Sequence, residues 1–458
     1  MPSTSLSPSP APSPFPSPSS VLRAGGRHRK TKAPNPALRR AAVIAVVAPV
    51  AGTILAGPSA FAADKATAKA GTTELDPTEQ KIADNLNTRS QDTRLGSTLS
   101  GVVIDAKSDK VVWGHNADTA LMAASNTKLA TSTAALTVLG PDHRLTTKVV
   151  YGDGTLTLVG GGDRTLTTDD LDALAKTAVA GLKNAGLTSV KVRIDDSLFP
   201  EPTLANGWNT GYYPDSIAPV RALVVDSHNV EDTSLDAGGV FAGLLAERGV
   251  TVDGEVTRGV VGKGDVPVAT HTSDKLSTVV KQMLKVSDND IAESLLRLTA
   301  IGAGRAATFE DGTAVVRDVL TRYGISLDHF EMYDGSGLSR ATRIPARTMA
   351  DIVDLAADPR HSQTLKYIID GLPVSGEAGA TLGPEFGRFD TADSQCAVGQ
   401  VKGKTGTLTG AVALSGLTKD QDGDWKVFSF IENDSTAGPS DIKDALDGLA
   451  ATVNGCWV

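Results

Sequence analysis

The sequence is poor in the residues on which several classes of protein depend. Aromatic residues make up 4% of the 458 residues, which argues against a module that stacks nucleobases on aromatic side chains. The two cysteines and seven scattered histidines show no metal-ligand spacing, so no metal site is expected. Residues 1–62 contain no Asp or Glu and seven of the 44 Lys/Arg, so the remaining chain sets 37 basic residues against 53 acidic ones, a net charge of −16. An acidic body repels nucleic acid and anionic lipid, so neither is an expected partner.

The N-terminal apolar run, residues 41–55, is short for a membrane span. It follows a Pro/Ser-rich tail and a basic stretch, and it leads to Ala60-Phe61-Ala62, the small-x-small pattern of a signal peptidase site. We therefore expect residues 1–62 to be a low-complexity tail and a cleaved signal peptide, with no stable membrane span after cleavage. A retained N-terminal anchor is the alternative.

The two cysteines become informative if the chain is exported. Cys396 and Cys456 are the only pair in the sequence, and an oxidising compartment favours a disulfide. We expect this disulfide to tie the C-terminal segment to the core.

Hydrophobic patterning predicts alternating helices and mostly hairpin-connected strands. The predicted strands are 99–104, 110–114, a hairpin at 147–159, 190–194, 411–417 and 425–431. The predicted helices are 121–139, 169–185, 239–248, 274–286, 290–300, 309–323 and 440–453, with an irregular stretch at 200–219. This order indicates an α/β or α+β fold in which helices cover an antiparallel sheet.

Three short motifs carry the candidate chemistry, and each is weak alone. They are Ser-x-x-Lys at Ser125–Lys128 and Ser440–Lys443, Ser-x-Asn at Ser227–Asn229 and Ser287–Asn289, and Lys-Thr-Gly at Lys404–Gly406. Ser440 precedes an amphipathic helix and is interpreted as its N-cap. Two nucleotide-binding motifs fail, because Val398 stands where a phosphate loop needs its first glycine and Thr165 where a dinucleotide fingerprint needs its third.

Ser125 and Lys128 are one helical turn apart, so their side chains lie on one face of a helix. Capping of that helix is the structural alternative for Ser125. A serine hydroxyl becomes a nucleophile when a neighbouring base takes its proton. An amine can do so only when burial and a second cation lower its pKa, and Lys404 is the candidate for that cation.

The other motifs suit the same reaction. Ser287 is suited to pass a proton to a leaving amine, and Asn289 to orient Lys128 and the substrate amide. Lys404 and Thr405 on a strand edge are suited to hold a carboxylate while the strand pairs with an extended peptide. A solvated strand charge is the alternative interpretation of Lys404.

In this order, the three motifs are the set found in β-lactamases and penicillin-binding proteins. The chain resembles the class C low-molecular-mass penicillin-binding proteins, the D-alanyl-D-alanine carboxypeptidase/endopeptidase family. The matching stretches are 158–166, 195–199, 218–223, 286–293, 334–340, 372–376 and 401–408.

The resemblance implies a β-lactamase/transpeptidase-like catalytic domain made of residues 63–147 and 274–458, with an inserted domain at 148–273. The family usually inserts two domains before Ser-x-Asn, so the 158 residues at 129–286 indicate a reduced insertion. The family pattern selects Ser287 over Ser227. It also implies an oxyanion hole formed by the backbone N–H groups of Ser125 and Thr407. The implied substrate-binding residues are Lys404, Thr405, Gly406, Thr407, Ser336 and Leu338.

The expected function is therefore that of a serine D,D-peptidase without metal or organic cofactor. The expected partners are peptidoglycan stem peptides and, as covalent inhibitors, β-lactam antibiotics, and the expected location is extracellular or cell-wall-associated. A β-lactamase or esterase on the same fold is one alternative, because the motifs determine acylation and leave the rate of deacylation open. A wall-binding module with an inactive site is the other.

Overall fold

The computed structural model describes residues 74–457, so the predicted tail and signal peptide lie outside the described residues. The helices are α1 Pro77–Arg89, α2 Thr127–Leu139, α3 Thr168–Asn184, α4 Thr233–Glu247, α5 Leu276–Val286, α6 Asn289–Gly302, α7 Phe309–Arg322, α8 Ala346–Ala357, α9 Lys366–Gly371 and α10 Pro439–Asn454. The strands are β1 Leu99–Asp105, β2 Val111–His115, β3 Ala120–Leu121, β4 Arg144–Gly152, β5 Thr155–Val159, β6 Ser189–Asp195, β7 Thr251–Val252, β8 Thr257–Arg258, β9 Val266–Lys275, β10 Ile344–Pro345, β11 Lys402–Leu408, β12 Ala411–Lys419 and β13 Trp425–Asn433.

A five-stranded antiparallel sheet in the order β11-β12-β13-β1-β2 carries the candidate site on its edge strand β11. Strand β13 is buried on both faces. Because successive side chains of a strand point to opposite sides of the sheet, Phe428 and Phe430 join the core formed with α1 and α10, whereas Val427 and Ile431 join the core formed with α2 and α5–α8. The predicted arrangement, an antiparallel sheet covered by helices, is confirmed.

A second sheet, in the order β7-β6-β5-β4-β9 with β8 also paired to β6, lies between α2 and α5 in the chain. Its core is separate and is formed with α3 and α4. Strand β6 pairs in parallel with β5, β7 and β8, which the prediction of mostly hairpin-connected strands did not include. The helix α3 crosses over between β5 and β6, and such a crossover is what a parallel pair requires. The predicted domain boundaries stay a prediction.

The predicted helix 121–139 is wrong at its N-terminal end. Ala120 and Leu121 form the strand β3, which pairs with β10, and α2 begins only at Thr127. Between them Ala124 has φ of 47°, a left-handed conformation in which an α-helix cannot continue. This turn places Ser125 just before the helix.

The interpretation of Ser440 as an N-cap is also wrong. The N-cap of α10 is Gly438, which makes no side-chain capping hydrogen bond, and Pro439 is the first helical residue. Proline is well suited to that position because its fixed φ matches the helix and its missing N–H needs no partner there. Ser440 is therefore an exposed residue of the first turn.

The predicted disulfide between Cys396 and Cys456 is present, with the two Cα atoms 6.1 Å apart. Cys396 lies in the segment leading to β11, and Cys456 follows α10. The bridge thus ties the end of the chain to the approach to the edge strand. None of the helices within residues 74–457 combines the length and apolar composition that crossing a bilayer requires.

Glu432, near the end of β13, is expected to make the stability of the protein depend on pH. Its side chain is fully buried, with one carboxylate oxygen accepting from the Ser435 N–H and the other without a partner, and burial raises its pKa to about 7. Because the folded pKa is above the ordinary value of 4.5, ionisation of Glu432 destabilises the protein as pH rises from about 4.5 to 7.

We expect Glu432→Gln to raise the free energy of unfolding by roughly 2–3 kcal/mol at pH about 8 and to change it little at pH about 4. Urea titrations at both pH values measure this. Glu247→Gln, at an exposed glutamate, is the control, and an equal effect of Glu432→Gln at the two pH values would contradict the prediction.

Candidate active site

Ser125 lies in a short 3-10 turn, Ala124–Asn126, that leads directly into α2. Its side chain is partly exposed, and its Oγ is 3.1 Å from the Nζ of Lys128. The side chains of Ser125 and Lys128 therefore lie close together, as their spacing predicted. The hydroxyl is accessible to a ligand while a candidate base lies within hydrogen-bonding distance.

Lys128 is fully buried, and three oxygens surround its amine. Besides Ser125, the Nζ donates to Asn289 Oδ1 at 2.7 Å and to the carbonyl oxygen of Ser336 at 2.7 Å. Burial lowers the pKa of Lys128 to about 8, although the carboxylates of Asp334 and Glu293 act in the opposite direction. Lys128 is thus neutral in an appreciable fraction of the molecules near pH 7, as a general base must be.

Ser287 and Asn289 occupy the junction between α5 and α6. Ser287 ends α5 in a left-handed conformation with φ of 63°, and Asp288 caps α6 by accepting from the Ile291 N–H. Asn289 is therefore held in the first turn of α6, where its Nδ2 donates to the carbonyl oxygen of Ser216 at 2.9 Å. That bond orients the amide so that its oxygen faces Lys128.

Lys404 is fully buried on the edge strand β11, so the interpretation as a solvated strand charge is wrong. Its Nζ donates to Ser287 Oγ at 2.9 Å and to the carbonyl oxygen of Thr405 at 2.7 Å. Burial and, secondarily, the positive charge of Lys128 lower its pKa. Within the described part of the chain Lys404 forms no ion pair with a carboxylate, and its two hydrogen-bond partners are a hydroxyl and a carbonyl oxygen.

The remaining residues of β11 bring this strand against the Ser125 turn. A Cβ at Gly406 would lie 2.8 Å from the Ala123 carbonyl oxygen, so glycine is required for the close approach. Thr407 next to it is exposed, and Thr405 Oγ1 donates to Thr381 Oγ1 at 2.8 Å. The oxyanion hole of the Ser125 and Thr407 N–H groups stays a prediction.

Ser336 and Leu338 lie in the loop Asp334–Ser339 and are both buried. Ser336 contacts Lys128 through its carbonyl oxygen, while its hydroxyl is 3.5 Å from Asp334 Oδ2. Leu338 accepts from the hydroxyl of Tyr212 through its carbonyl oxygen. The structure thus places Ser336 beneath Lys128, and the substrate-binding role of the two residues stays a prediction.

The two motif copies that were not assigned to the site lie elsewhere. Ser440 and Lys443 belong to α10, which packs on the opposite face of the first sheet from α2. Ser227 is exposed between β6 and α4, where its neighbour Asp226 binds the first turn of α3.

Three residues of the site were not predicted from the sequence as functional. Trp208 donates through Nε1 to Asp334 at 2.7 Å, Ser216 orients Asn289, and Glu293 accepts from backbone N–H groups of the loop beneath Lys128. Trp208 and Ser216 lie in the irregular stretch 200–219, where only their position next to Pro and Gly residues marked a loop. Glu293 lies within a matched stretch, but a helical glutamate gives no local sign of burial.

The chain matches the model of the D-Ala-D-Ala carboxypeptidase 3 (S13) family over residues 82–231 and 227–453. It is 32% identical over 451 residues to carboxypeptidase DacB of Mycolicibacterium smegmatis, covering 91% of this chain and 95% of that protein. It is 27% identical to a D-alanyl-D-alanine carboxypeptidase of Actinomadura sp., covering 92% and 91% of the two chains.

Among solved structures, penicillin-binding protein 4 (DacB) of Haemophilus influenzae has the same fold, with a TM-score of 0.69 at 22% identity over 81% of this chain and 98% of that one. The resemblance predicted from the motifs is confirmed over most of the chain, and the protein belongs to the D-Ala-D-Ala carboxypeptidase 3 (S13) family.

Proposed function

We propose that this protein is an exported serine D,D-peptidase that cleaves D-Ala-D-Ala and related cross-link bonds of peptidoglycan through an acyl-enzyme on Ser125. The observation that carries the proposal is the 3.1 Å contact between Ser125 Oγ and a fully buried amine, Lys128, whose pKa burial lowers to about 8. The family of the chain is that of serine-type D-Ala-D-Ala carboxypeptidases, which supports the same reaction.

Acylation begins when Ser125 Oγ attacks the carbonyl carbon of the penultimate D-Ala and its proton passes to Lys128 Nζ. The oxyanion of the tetrahedral intermediate faces the backbone N–H groups at the Ser125 turn and β11. The C–N bond then breaks, and the leaving amine takes a proton that Lys128 supplies through Ser287. Water attacks the resulting ester, Lys128 accepts its proton, and Ser125 Oγ is protonated again on release.

Lys404 and Thr405 are proposed to bind the terminal carboxylate of the substrate. The buried Nζ of Lys404 has only neutral oxygens as hydrogen-bond partners among the described residues, so a bound carboxylate would supply a negative charge that favours the protonated amine. Ser287 accepts from Lys404 and therefore lies next to the proposed carboxylate site. This arrangement favours substrates that end in a carboxylate and β-lactams that carry one in the corresponding place.

Incubation with a fluorescent penicillin and with a D-Ala-D-Ala pentapeptide tests the proposal. We expect a long-lived adduct on the tryptic peptide that contains Ser125, together with release of D-Ala. Rapid turnover of the penicillin without D-Ala release would favour the β-lactamase alternative. Absence of both adduct and release would favour a wall-binding module.

The pH dependence of acylation follows from Lys128. Because only the neutral amine accepts the Ser125 proton, the second-order rate of penicillin acylation should rise about tenfold per pH unit on the acid side and level off above pH about 8. Stopped-flow measurement between pH about 5.5 and 9 checks this, with the thermal midpoint followed over the same range. A rate independent of pH in that interval would contradict the role of Lys128 as a base.

Export is proposed from the basic stretch, the apolar run and Ala60-Phe61-Ala62. The mature protein should begin near Ala63 and be found outside the cytoplasm. N-terminal mass spectrometry of protein recovered from cell fractions measures this, and a cytosolic chain with residues 1–62 intact would contradict it.

A further inference from the structure

The loop Asp334–Ser339 forms the floor under both Ser125 and Lys128. Its Ser336 carbonyl oxygen accepts from Lys128 Nζ at 2.7 Å, as described above. Gly337, with φ of 86°, lies directly under the residue that precedes the nucleophile, since a Cβ there would be 1.9 Å from the Ala124 carbonyl oxygen. Displacement of this loop would therefore move the nucleophile and the base together.

The loop is held from below by a carboxylate that the proposed reaction does not use. Glu293, fully buried on α6, accepts from the Gly335 N–H at 2.9 Å and from the Ser336 N–H at 2.7 Å. Asp334, also fully buried, accepts from the N–H groups of Gly337 and Ser339. Every one of these N–H groups would be unsatisfied in the core without the carboxylates, which costs free energy.

We propose that Glu293 is a positioning residue for Lys128, because it fixes the Ser336 carbonyl and, when ionised, supplies a negative charge that favours the protonated amine. The inference rests on the proposed function, because it concerns how the site sets the pKa of Lys128, the proposed base. Glu293 forms no hydrogen bond with Ser125 or Lys128, and it acts through the peptide groups of the loop.

The charged groups around Lys128 and Glu293 determine how strongly Glu293 affects the protonation of Lys128. Six titratable or charged groups face Lys128 and Glu293. They are Asp288 just before α6, Asp290 and Arg297 on α6, Tyr213 in the 200–219 stretch, Asp334 on the loop and Lys404 on β11. Burial raises the pKa of Glu293, and the neighbouring Asp334 raises it further. In turn the carboxylates of Asp334 and Glu293 oppose the loss of the Lys128 proton.

Glu293→Gln separates charge from shape, because the amide keeps one oxygen as acceptor for Gly335 and Ser336 and loses the negative charge. We expect the pH of half-maximal penicillin acylation to fall by about one unit while the plateau rate falls less than about tenfold. Glu432→Gln, at the other fully buried glutamate with a raised pKa, is the matched control and should leave the acylation profile unchanged.

Gly337→Ala tests whether the position of the loop controls acylation while Glu293 is unchanged. The added methyl group collides with the Ala124 carbonyl, so acylation should slow by about tenfold or more at every pH without a shift of the half-maximal pH. Thermal melting of each variant establishes that it is folded.

A Glu293→Gln profile that superimposes on that of the unmodified protein would overturn the inference and leave the proposed function intact. If the unmodified protein forms no adduct at any pH, the proposed function and this inference fail together. If Glu293→Gln melts early and labels poorly, Glu293→Asp, which keeps the charge, must recover the original half-maximal pH, and a shifted one would also overturn the inference.

Discussion

Replacement of Ser125 by alanine is expected to abolish covalent labelling by penicillin and to reduce D-Ala release by on the order of 10³-fold or more. The adduct requires a nucleophilic oxygen, and Ser125 is the hydroxyl that Lys128 contacts at 3.1 Å. Ser287 also has a hydroxyl in the site, but its Oγ accepts from Lys404, which is bound to a carbonyl as well. Gel fluorescence after labelling and a coupled assay for D-Ala measure the two effects.

Two matched variants make the result specific to the site. Ser440→Ala removes the serine of the other Ser-x-x-Lys motif, and Ser227→Ala removes the serine of the other Ser-x-Asn motif. Ser440 is an exposed residue on α10, and Ser227 is exposed before α4, so both variants should label and release D-Ala at the original rates. Persistent labelling of Ser125→Ala, or loss of labelling in Ser227→Ala, would show that the motifs were assigned to the wrong copies.

The parts of the site that the sequence predicted are those set by local spacing. Ser125 and Lys128 meet because they are three residues apart at the start of a helix, and Asn289 faces Lys128 because Asp288 starts a new helix. The elements with regular patterns, such as α3 and β13, were likewise predicted within a few residues. Local propensity and amphipathic periodicity are sufficient for these features.

The parts that the sequence did not predict depend on contacts between distant segments. The burial of Lys404 results from the packing of β11 against the Ser125 turn, and Trp208 meets Asp334 across 126 residues of the chain. The two-residue strands β7 and β8 exist only because β6 offers them backbone partners. Elements so short have no periodicity from which to be predicted.

Helix α4 shows a different kind of error. The predicted range begins at residue 239, whereas the helix begins at Thr233. Asp232, which accepts from the Leu235 N–H, is the N-cap and marks the start in the sequence. The capping residue Asp232 thus marks a helix start that the predicted range misses.

Replacement of Lys128 by methionine is expected to slow acylation of Ser125 by about 10²–10⁴-fold, the range for loss of a general base. Methionine has a similar length and suits a fully buried position, but it cannot accept the proton of Ser125. Lys443→Met is the matched control, because Lys443 is the lysine of the other Ser-x-x-Lys motif and burial lowers its pKa too. That variant should be acylated at the original rate.

Lys128→Arg distinguishes a base from a mere cation at this position. Arginine keeps the positive charge and can donate to Asn289 and Ser336, but its guanidinium does not lose a proton in the physiological range. If Lys128 acts as the base, Lys128→Arg should be about as slow as Lys128→Met, and its residual rate should lose the rise toward pH about 8. Recovery of most of the original rate in Lys128→Arg would show that only the charge is needed and that the proton of Ser125 is taken by another group.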